Sequence, residues 1–184
     1  MTTRAHSPKR EAAASRARAV SIAITVPCRQ WRKALPDVEH VAMVAAQAAL
    51  RGACAVLPER GRAAELSLVL GGDPLVRSLN RRWRDRDHAT NVLSFPTGGD
   101  AGSEGPLLLG DVVLAYETVA REAAVQGKTL AAHLSHLVAH GVLHLLGFDH
   151  ESDEDARRME GLERRILARL GMADPYHVRE AAHG

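Results

Sequence analysis

The chain has 184 residues, of which 46% are hydrophobic and only 3% aromatic, and its formal net charge is +2. This length suits one domain with a core of aliphatic side chains, which favours helices packed closely on a small sheet. The small net charge gives no argument for a nucleic-acid partner from the overall field, and no stretch approaches the ~18 consecutive apolar residues of a membrane span.

The cysteines and the ends of the chain bear on compartment and domain limits. Cys28 and Cys54 have no C-x-x-C spacing, which fits a reducing cytosol. We therefore expect a soluble, cytoplasmic protein with no membrane partner. Residues 1–18 are basic and rich in Ala and Ser, a composition shared by transit peptides. The same bias runs through the whole chain, so we interpret them as a disordered tail, followed by one domain at 19–172 and a C-terminal tail at 173–184.

The first half of the chain alternates strands and helices. β-Branched and small residues alternate over residues 20–26, which predicts a strand that stops at Pro27. Asp37 is placed to cap a helix over residues 38–51, and Gly52 to end it. The next predicted elements are a strand at 65–70, a helix opened by Asp73 and Pro74 that runs to about residue 82, and strands at 90–95 and Leu107–Ala115.

Helices dominate the second half. Their boundaries are predicted from capping residues and terminal glycines. They are a short helix at 116–126 before Gly127, a long helix from 130 to about 146 between Thr129 and Gly147, and a last helix at 153–170 opened by Ser152 and Asp155. The predicted fold class is α+β, with a four-stranded, mostly mixed sheet packed with about five helices and a zincin-like metal-binding helix.

The long helix carries the clearest chemical pattern. His140 and His144 lie four residues apart, so both imidazoles stand on one face and can share a cation. Gly147 permits a left-handed turn that brings His150 back over that face. Three imidazoles with an open fourth position are typical of a catalytic zinc site. The sequence therefore predicts one zinc ion per chain, in a site that would also accept nickel or iron.

Other residues near these histidines are candidates for supporting roles. His136, one turn before His140, is expected to support a ligand ring or to contact the substrate. His133 is expected to be a partly exposed surface residue. Carboxylates that could orient the ligand rings are Asp149, Glu151 and Asp153.

An arginine-rich segment lies upstream and surrounds Trp83. Guanidinium groups match phosphate oxygens and an indole can stack on a base, so the segment predicts a phosphate clamp beside a stacking surface. A solvated helix end with salt-bridged arginines explains the same composition equally well. The arginines are Arg81, Arg82, Arg84 and Arg86.

Three motifs occur in order along the chain: L-N-x-x-W-R-x-x-D-x-x-T-N-V-L-S-F-P, then L-G-D-V-V-L, then H-G-V-L-H-L-L-G-F-D-H. Together they resemble the YbeY family of bacterial endoribonucleases over about residues 20–170. The resemblance implies that His140, His144 and His150 hold zinc and that Arg84 is the functional arginine. We expect further substrate contacts from Arg82, Trp83 and His136.

The resemblance also implies a biological role. We expect a zinc-dependent, single-strand-specific endoribonuclease that acts in 16S rRNA 3′ end maturation, ribosome biogenesis and ribosome quality control. Its expected partners are ribosomal RNA and the small ribosomal subunit with its proteins, and its oligomeric state is left open. The chain departs from the family's usual residues at Trp83 (Tyr or Phe), Asp85 (Gly), Ala89 (Pro) and Asn91 (Asp). These departures affect loop geometry and a strand end rather than the metal frame.

The histidine spacing is also that of the metzincin proteases, in which the position of Gly141 carries the catalytic glutamate. Without that acid, a protease lacks the group that deprotonates water and protonates the leaving amine. Zinc lowers the pKa of its bound water to about 7, so a zinc hydrolase can work without the glutamate. We expect Gly141 to leave room beside the metal for a nucleotide. The remaining alternative is a non-catalytic ribosome-assembly factor whose zinc only stiffens the fold.

Overall fold

The computed structural model describes residues 20–53, 63–97 and 105–176. Within these ranges the predicted α+β class and four-stranded sheet are confirmed, with six helices rather than about five. The predicted N-terminal tail and Cys54 lie outside the described residues, as do residues 177–184 of the predicted C-terminal tail. In chain order the elements are β1 (Val20–Thr25), α1 (Gln30–Ala34), α2 (Val38–Gly52), β2 (Ala64–Gly71), α3 (Asp73–Arg84), β3 (Val92–Pro96), β4 (Leu107–Ala115), α4 (Tyr116–Val125), α5 (Leu130–Leu145) and α6 (Asp153–Arg169).

The sheet is mixed and has the strand order β1-β2-β4-β3. β1 pairs with β2 and β2 with β4 in parallel, whereas β3 runs antiparallel to β4. The register between β2 and β4 shifts at Glu65 and Leu66. β4 has Gly110 near this irregularity, with a φ of +132°. A side chain at Gly110 would collide with the carbonyl oxygen of Phe95, so the position requires glycine.

The two faces of the sheet bury different amounts of apolar surface. Because successive side chains of a strand point to opposite faces, Val112 and Leu114 enter the main core whereas Val113 and Ala115 enter a smaller one. The main core also contains the buried sides of α2, α5 and α6, and the smaller core includes Val76 of α3. Helix α5 is therefore buried centrally. None of the described helices has the length and apolarity to cross a bilayer.

Helices α3 and α4 cap each other. The backbone N–H of Asp73 donates to Oε2 of Glu117 at 2.7 Å. The Asp73 carboxylate in turn accepts from the backbone N–H of Thr118 at 3.1 Å and from its hydroxyl at 3.0 Å. Carboxylates are favourable at helix N-termini. The prediction that Asp73 caps its own helix is therefore wrong, because Gly72 is the N-cap of α3 and the Asp73 side chain caps α4.

The short helix α1 was not predicted. It has only five residues, too few to show a helical period, and it is held by one side chain. Trp31 is fully buried, donates from its indole N–H to the carbonyl of Gly71 at 2.8 Å, and meets Tyr116 edge-on at 5.2 Å. Asp37 is the N-cap residue of α2, as predicted, but its side chain makes no capping hydrogen bond.

The predicted ends of α5 and α6 are confirmed. The Thr129 hydroxyl accepts from the backbone N–H of Ala132 at 3.1 Å, and the Ser152 hydroxyl from that of Asp155 at 3.1 Å. Gly147 follows α5 with a φ of +83°, the left-handed conformation predicted for it. The local sequence therefore sets where the histidine-bearing helix begins and ends.

Helix α5 lies very close to the sheet at Gly141. A Cβ atom placed there would be 2.5 Å from Cγ1 of Val112 on β4 and 3.1 Å from the Ser94 hydroxyl on β3. The Ser94 hydroxyl also donates to the carbonyl of Gly141 at 3.2 Å. Glycine at this position therefore sets the separation between α5 and the sheet.

We expect Gly141→Ala to lower the free energy of unfolding by about 1–3 kcal/mol, since the added methyl group overpacks this contact. Urea denaturation monitored by circular dichroism measures the change. Gly161→Ala is the matched control, because Gly161 lies in α6 and its nearest contact for a new Cβ is the end of the Arg165 side chain at 3.7 Å. This control should gain about 0.5–1 kcal/mol from helix propensity. Equal effects of the two substitutions would contradict the packing role of Gly141.

Candidate metal centre

The three histidines of the predicted frame come together in the fold. Helix α5 presents His140 and His144 one turn apart, and the chain turns after Gly147 so that His150 returns to them. One ring nitrogen from each lies within 4.8 Å of the other two. The Nε2 atoms of His140 and His144 are 3.0 Å apart. Two nitrogens bound at 2.0–2.1 Å to a tetrahedral zinc ion are about 3.3 Å apart, so the rings fit a shared cation closely.

A carboxylate from another helix holds one of these rings. Glu163 of α6 is fully buried, and its Oε1 accepts from Nδ1 of His140 at 2.7 Å. Its Oε2 lies 3.3 Å from Nε2 of His136 and accepts from the hydroxyl of Tyr176. Sequence reasoning did not identify Glu163. The signal available was one acid at position 163 on the otherwise apolar stripe of α6 formed by Met159, Leu162, Ile166 and Leu167.

The electrostatics of the cluster favour a charged Glu163 and an uncharged His144. Burial alone would raise the pKa of the Glu163 carboxyl, but hydrogen bonds from His136, His140 and Tyr176 and the charge of His140 lower it to about 2. Burial lowers the pKa of His144, and the neighbouring rings of His140 and His150 lower it further. Because a metal binds only the unprotonated imidazole, a lowered pKa prepares His144 for ligation at neutral pH.

A second histidine–carboxylate pair lies beside the first. Oε2 of Glu122 on α4 accepts from Nε2 of His133 at 2.9 Å and from the side-chain amide of Asn91 at 2.9 Å. His133 is 3% exposed, so its predicted place at the surface was wrong. The sequence around His133 could not show that α4 covers this face of α5. Burial lowers the pKa of His133, against the opposing effect of Glu122.

The carboxylates predicted to orient the rings lie elsewhere. Asp149, Glu151 and Asp153 are exposed, and Asp149 accepts from the backbone N–H of His150 at 2.7 Å. Among the described contacts none of the three bonds a histidine ring. Sequence proximity therefore pointed to the wrong acids, since the acid that bonds a ring, Glu163, lies farther along α6.

The cluster opens onto a large cavity. Its volume is about 860 Å³, and its walls include His136, His140, His150, Glu163 and Tyr176. Strand β3 and helix α4 contribute the opposite end. The predicted boundary at residue 172 stays a prediction, but Tyr176 on its C-terminal side forms part of this wall.

Gly141 does not create the space beside the histidines. That residue faces Val112 and Ser94 of the sheet, so the expectation that it leaves space next to a metal was wrong. The space lies instead between α5, α6 and the end of the described chain. Because position 141 points into the core, it is also not a place from which a carboxylate could reach the cavity without displacing α5.

The arginine segment forms the end of α3 and the turn after it. Arg84 is the last residue of the helix and is exposed, and Asp85 follows with a φ of +54°. Trp83 is 63% exposed; the guanidinium of Arg82 lies 5.3 Å above its ring. The described walls of the cavity do not include Arg82, Trp83 or Arg84. The structure thus brings the histidines together and leaves these three residues on a separate, exposed surface.

Asn91, one of the departures from the family pattern, has a defined role at the start of β3. Its carbonyl oxygen accepts from the backbone N–H of Val92 at 2.7 Å while its amide donates to Glu122. An amide satisfies both partners, one donor and one acceptor. Asn91 therefore stabilises the start of β3 and links it to α4.

Comparison with known proteins identifies the same motifs. A family model described as "Endoribonuclease YbeY" matches residues 29–171. A protein named "Endoribonuclease YbeY" from Paramagnetospirillum magneticum is 52% identical over 85% of this chain and 96% of its own length. Relatives with the same name from Azorhizobium caulinodans and Rhizobium meliloti are 52% and 55% identical, covering 78% and 65% of this chain and 88% and 71% of theirs.

The lowered pKa of His133 predicts a pH-dependent stability. In the unfolded chain His133 has its ordinary pKa of 6.5 and binds a proton below that pH, whereas in the folded chain its lowered pKa keeps it unprotonated. The free energy of unfolding therefore falls as the pH falls below 6.5. The slope from this one group is at most about 1.4 kcal/mol per pH unit. We expect His133→Gln to lose less stability than the wild type between pH 7.5 and 5.5, measured by urea unfolding of metal-free protein. His40→Gln, on the exposed face of α2, should keep the wild-type pH dependence. An unchanged dependence in His133→Gln would contradict this assignment.

Proposed function

The chain belongs to the YbeY family of endoribonucleases, and from this membership we propose a zinc-dependent, single-strand-specific endoribonuclease that matures the 3′ end of 16S rRNA. As a member of the family it is an RNA-cleaving hydrolase in rRNA processing. The proposal extends to ribosome biogenesis and quality control in the cytoplasm. The proposed partners are ribosomal RNA and the small subunit with its proteins.

The observation that carries the proposal is the convergence of three imidazole nitrogens beside a large cavity, whose wall includes His140 and His150. Among the described residues, no fourth histidine, cysteine or carboxylate joins His140, His144 and His150 in the group of ligand atoms that could share one ion. This favours an open coordination position over the closed, four-ligand arrangement of structural zinc sites. It therefore supports catalysis over the alternative of a non-catalytic assembly factor. Imidazole ligands in tetrahedral geometry favour zinc, and nickel or iron would be accepted as substitutes.

The residues divide the work of phosphodiester hydrolysis. A zinc ion held by the three histidines would supply positive charge and an acidified water. His140 and His144 present their Nε2 atoms towards each other, and Glu163 accepts from the other nitrogen of His140. His136 lines the cavity and is placed to contact the substrate or to donate a hydrogen bond to Glu163. These groups bind and orient; none of them replaces the metzincin glutamate.

The exposed end of α3 suits the proposed phosphate and base contacts. Arg84 offers a guanidinium fork that matches phosphate oxygens, and neutralising phosphate charge is the main electrostatic requirement of the reaction. Arg82 and Trp83 already form a cation–π pair with an exposed indole face. Both contacts tolerate any base sequence, as expected for a nuclease that reads single strands by stacking and charge.

Strand β3 links the two surfaces. Val92 at its start lines the cavity, and Phe95 near its end contacts Trp83 with ring centroids 6.5 Å apart. At ~3.3 Å per residue these two positions lie about 10 Å apart along the strand. A short stretch of single-stranded RNA would therefore pass along β3 from the tryptophan to the histidines.

We expect His144→Ala to lose both zinc and RNA cleavage, because two imidazoles cannot hold zinc tightly at an exposed site. Metal content by mass spectrometry should fall from about one zinc per chain to near zero, and cleavage of a labelled single-stranded RNA should fall to background. His40→Ala on α2 should keep both properties. A His144→Ala protein that cleaves RNA at the wild-type rate would place the activity at another site or in a contaminant.

We expect Arg84→Ala to retain about one zinc per chain and to lose about 10²–10³-fold in cleavage rate, the usual effect of removing one donor to developing charge. Arg169→Ala, at the exposed end of α6, removes the same charge far along the chain and should cleave normally. Single-turnover rates on the labelled RNA measure both variants. Loss of zinc from Arg84→Ala would show a structural role for this arginine instead.

A further inference from the structure

We propose that Glu163 is the positioning residue of the metal centre and that Tyr176 fixes its carboxylate in place. The inference rests on the proposed function insofar as it assumes that the three histidines hold a metal. It concerns two residues outside the histidine frame. One is on a different helix, and the other lies beyond the predicted end of the domain.

The first step is the choice of the ligating nitrogen. The Glu163 Oε1 is an acceptor at 2.7 Å from His140 Nδ1, so that nitrogen must carry the ring proton. The remaining nitrogen, Nε2, then has a free lone pair, and it is the atom that faces Nε2 of His144 at 3.0 Å. The carboxylate therefore selects the tautomer in which His140 can ligate, and it also fixes the rotation of the ring. Partners of this kind raise the basicity of a ligand.

The second step is the restraint on the carboxylate itself. A buried carboxylate is costly unless donors surround it. Glu163 has a donor for Oε1 in His140, and two for Oε2 in the Tyr176 hydroxyl and His136. With both oxygens engaged, the carboxylate cannot rotate without losing a contact. Its orientation is then transmitted to His140.

A purely structural role does not account for an acid at this position. Helix α6 is already anchored in the core by four buried side chains, those of Met159, Leu162, Ile166 and Leu167. An apolar side chain at 163 would continue that stripe without the desolvation cost of a charge, and such replacements are often neutral or stabilising. The described hydrogen bonds of the Glu163 carboxylate are instead with His136, His140 and Tyr176. The acid therefore has a use that packing alone does not require.

The third step is the position of Tyr176. The chain reverses after α6 at Gly171, which has a φ of +71°. The returning segment is tied down by an ion pair between Arg164 and Asp174 at 3.2 Å and by Lys128 Nζ, which donates to the carbonyl of Pro175 at 3.0 Å. These contacts set the tyrosine ring edge-on to His136 at 5.6 Å, with its hydroxyl on Glu163. The contacts of residues 171–176 thus place the Tyr176 hydroxyl on the Glu163 carboxylate.

The test compares zinc affinity in three single variants by competition with a chromophoric chelator. Glu163→Gln should bind zinc about 10–100-fold more weakly than wild type, the usual effect of removing such a partner. Tyr176→Phe, which deletes only the hydroxyl, should bind several-fold more weakly. Glu160→Gln is the charge-matched control: Glu160 lies three residues earlier on α6 and lines the same cavity, but has no hydrogen bond to these histidines among the described contacts. It should stay within about two-fold of wild type.

A second readout separates positioning from structure. Long-range ¹H–¹⁵N spectra of zinc-free protein report which ring nitrogen of His140 carries the proton. The wild type and Glu160→Gln should show the proton on Nδ1, and Glu163→Gln a mixture of both forms. Thermal denaturation of the same samples shows whether each variant is folded, and if Glu163→Gln is not, Tyr176→Phe decides.

The outcomes are distinguishable. If Glu163→Gln folds, wild-type zinc affinity and an unchanged His140 tautomer in that variant would overturn the positioning role. If Glu163→Gln does not fold, wild-type zinc affinity and an unchanged His140 tautomer in Tyr176→Phe would overturn it. An equal loss of affinity in Glu160→Gln would also overturn it, because general charge would then explain the effect. A wild-type protein that binds no zinc in this assay would instead contradict the proposed function.

Discussion

The contact of α5 with the sheet at Gly141 is the constraint on which the site depends. Because no side chain separates the helix from Val112 of β4, the rotation of α5 about its axis is fixed by packing. Neighbouring positions on a helix are about 100° apart, so His140 is turned away from the sheet contact of Gly141, on the side where it meets Glu163 of α6 and lines the cavity. His144, one turn later, lies on the same side of the helix, with its Nε2 3.0 Å from that of His140. A glycine buried in the core thus sets the direction in which the ligands point.

This arrangement explains how the frame differs from that of a metzincin protease. The protease keeps its acid on the metal-binding helix, whereas in this chain that position is used for packing. The acid nearest the cluster comes from α6, is fully buried and contacts the far side of His140. From there it can orient a ligand ring, but both of its oxygens are already engaged by His140, His136 and Tyr176. The chemistry left to the site is charge neutralisation around a phosphate, which needs cationic groups more than a second base.

The parts predicted from sequence are those decided within one or two helical turns. The spacing of His140 and His144, the hydroxyl cap at Thr129 and the left-handed turn at Gly147 depend on neighbouring residues only, and all three are confirmed. The failures depend on partners distant in sequence. Asp73 caps a helix that begins 43 residues later at Tyr116, and the burial of His133 depends on α4. Glu163 could not be assigned, because nothing local shows that α6 crosses α5 at the histidines.

Two histidine–carboxylate pairs connect the stability of the fold with the site. Glu122 ties α4 to α5 through His133, and Glu163 ties α6 to α5 through His136 and His140. Both acids lie in the cavity walls, so the walls and the ligand face are held by the same helix. In each pair the histidine ring donates to the carboxylate, and on His140 this leaves Nε2 as the nitrogen that could bind a metal. The hydrogen bonds that hold the cavity walls therefore also orient a ring of the histidine cluster, and α5 carries both because it packs against α4 and α6.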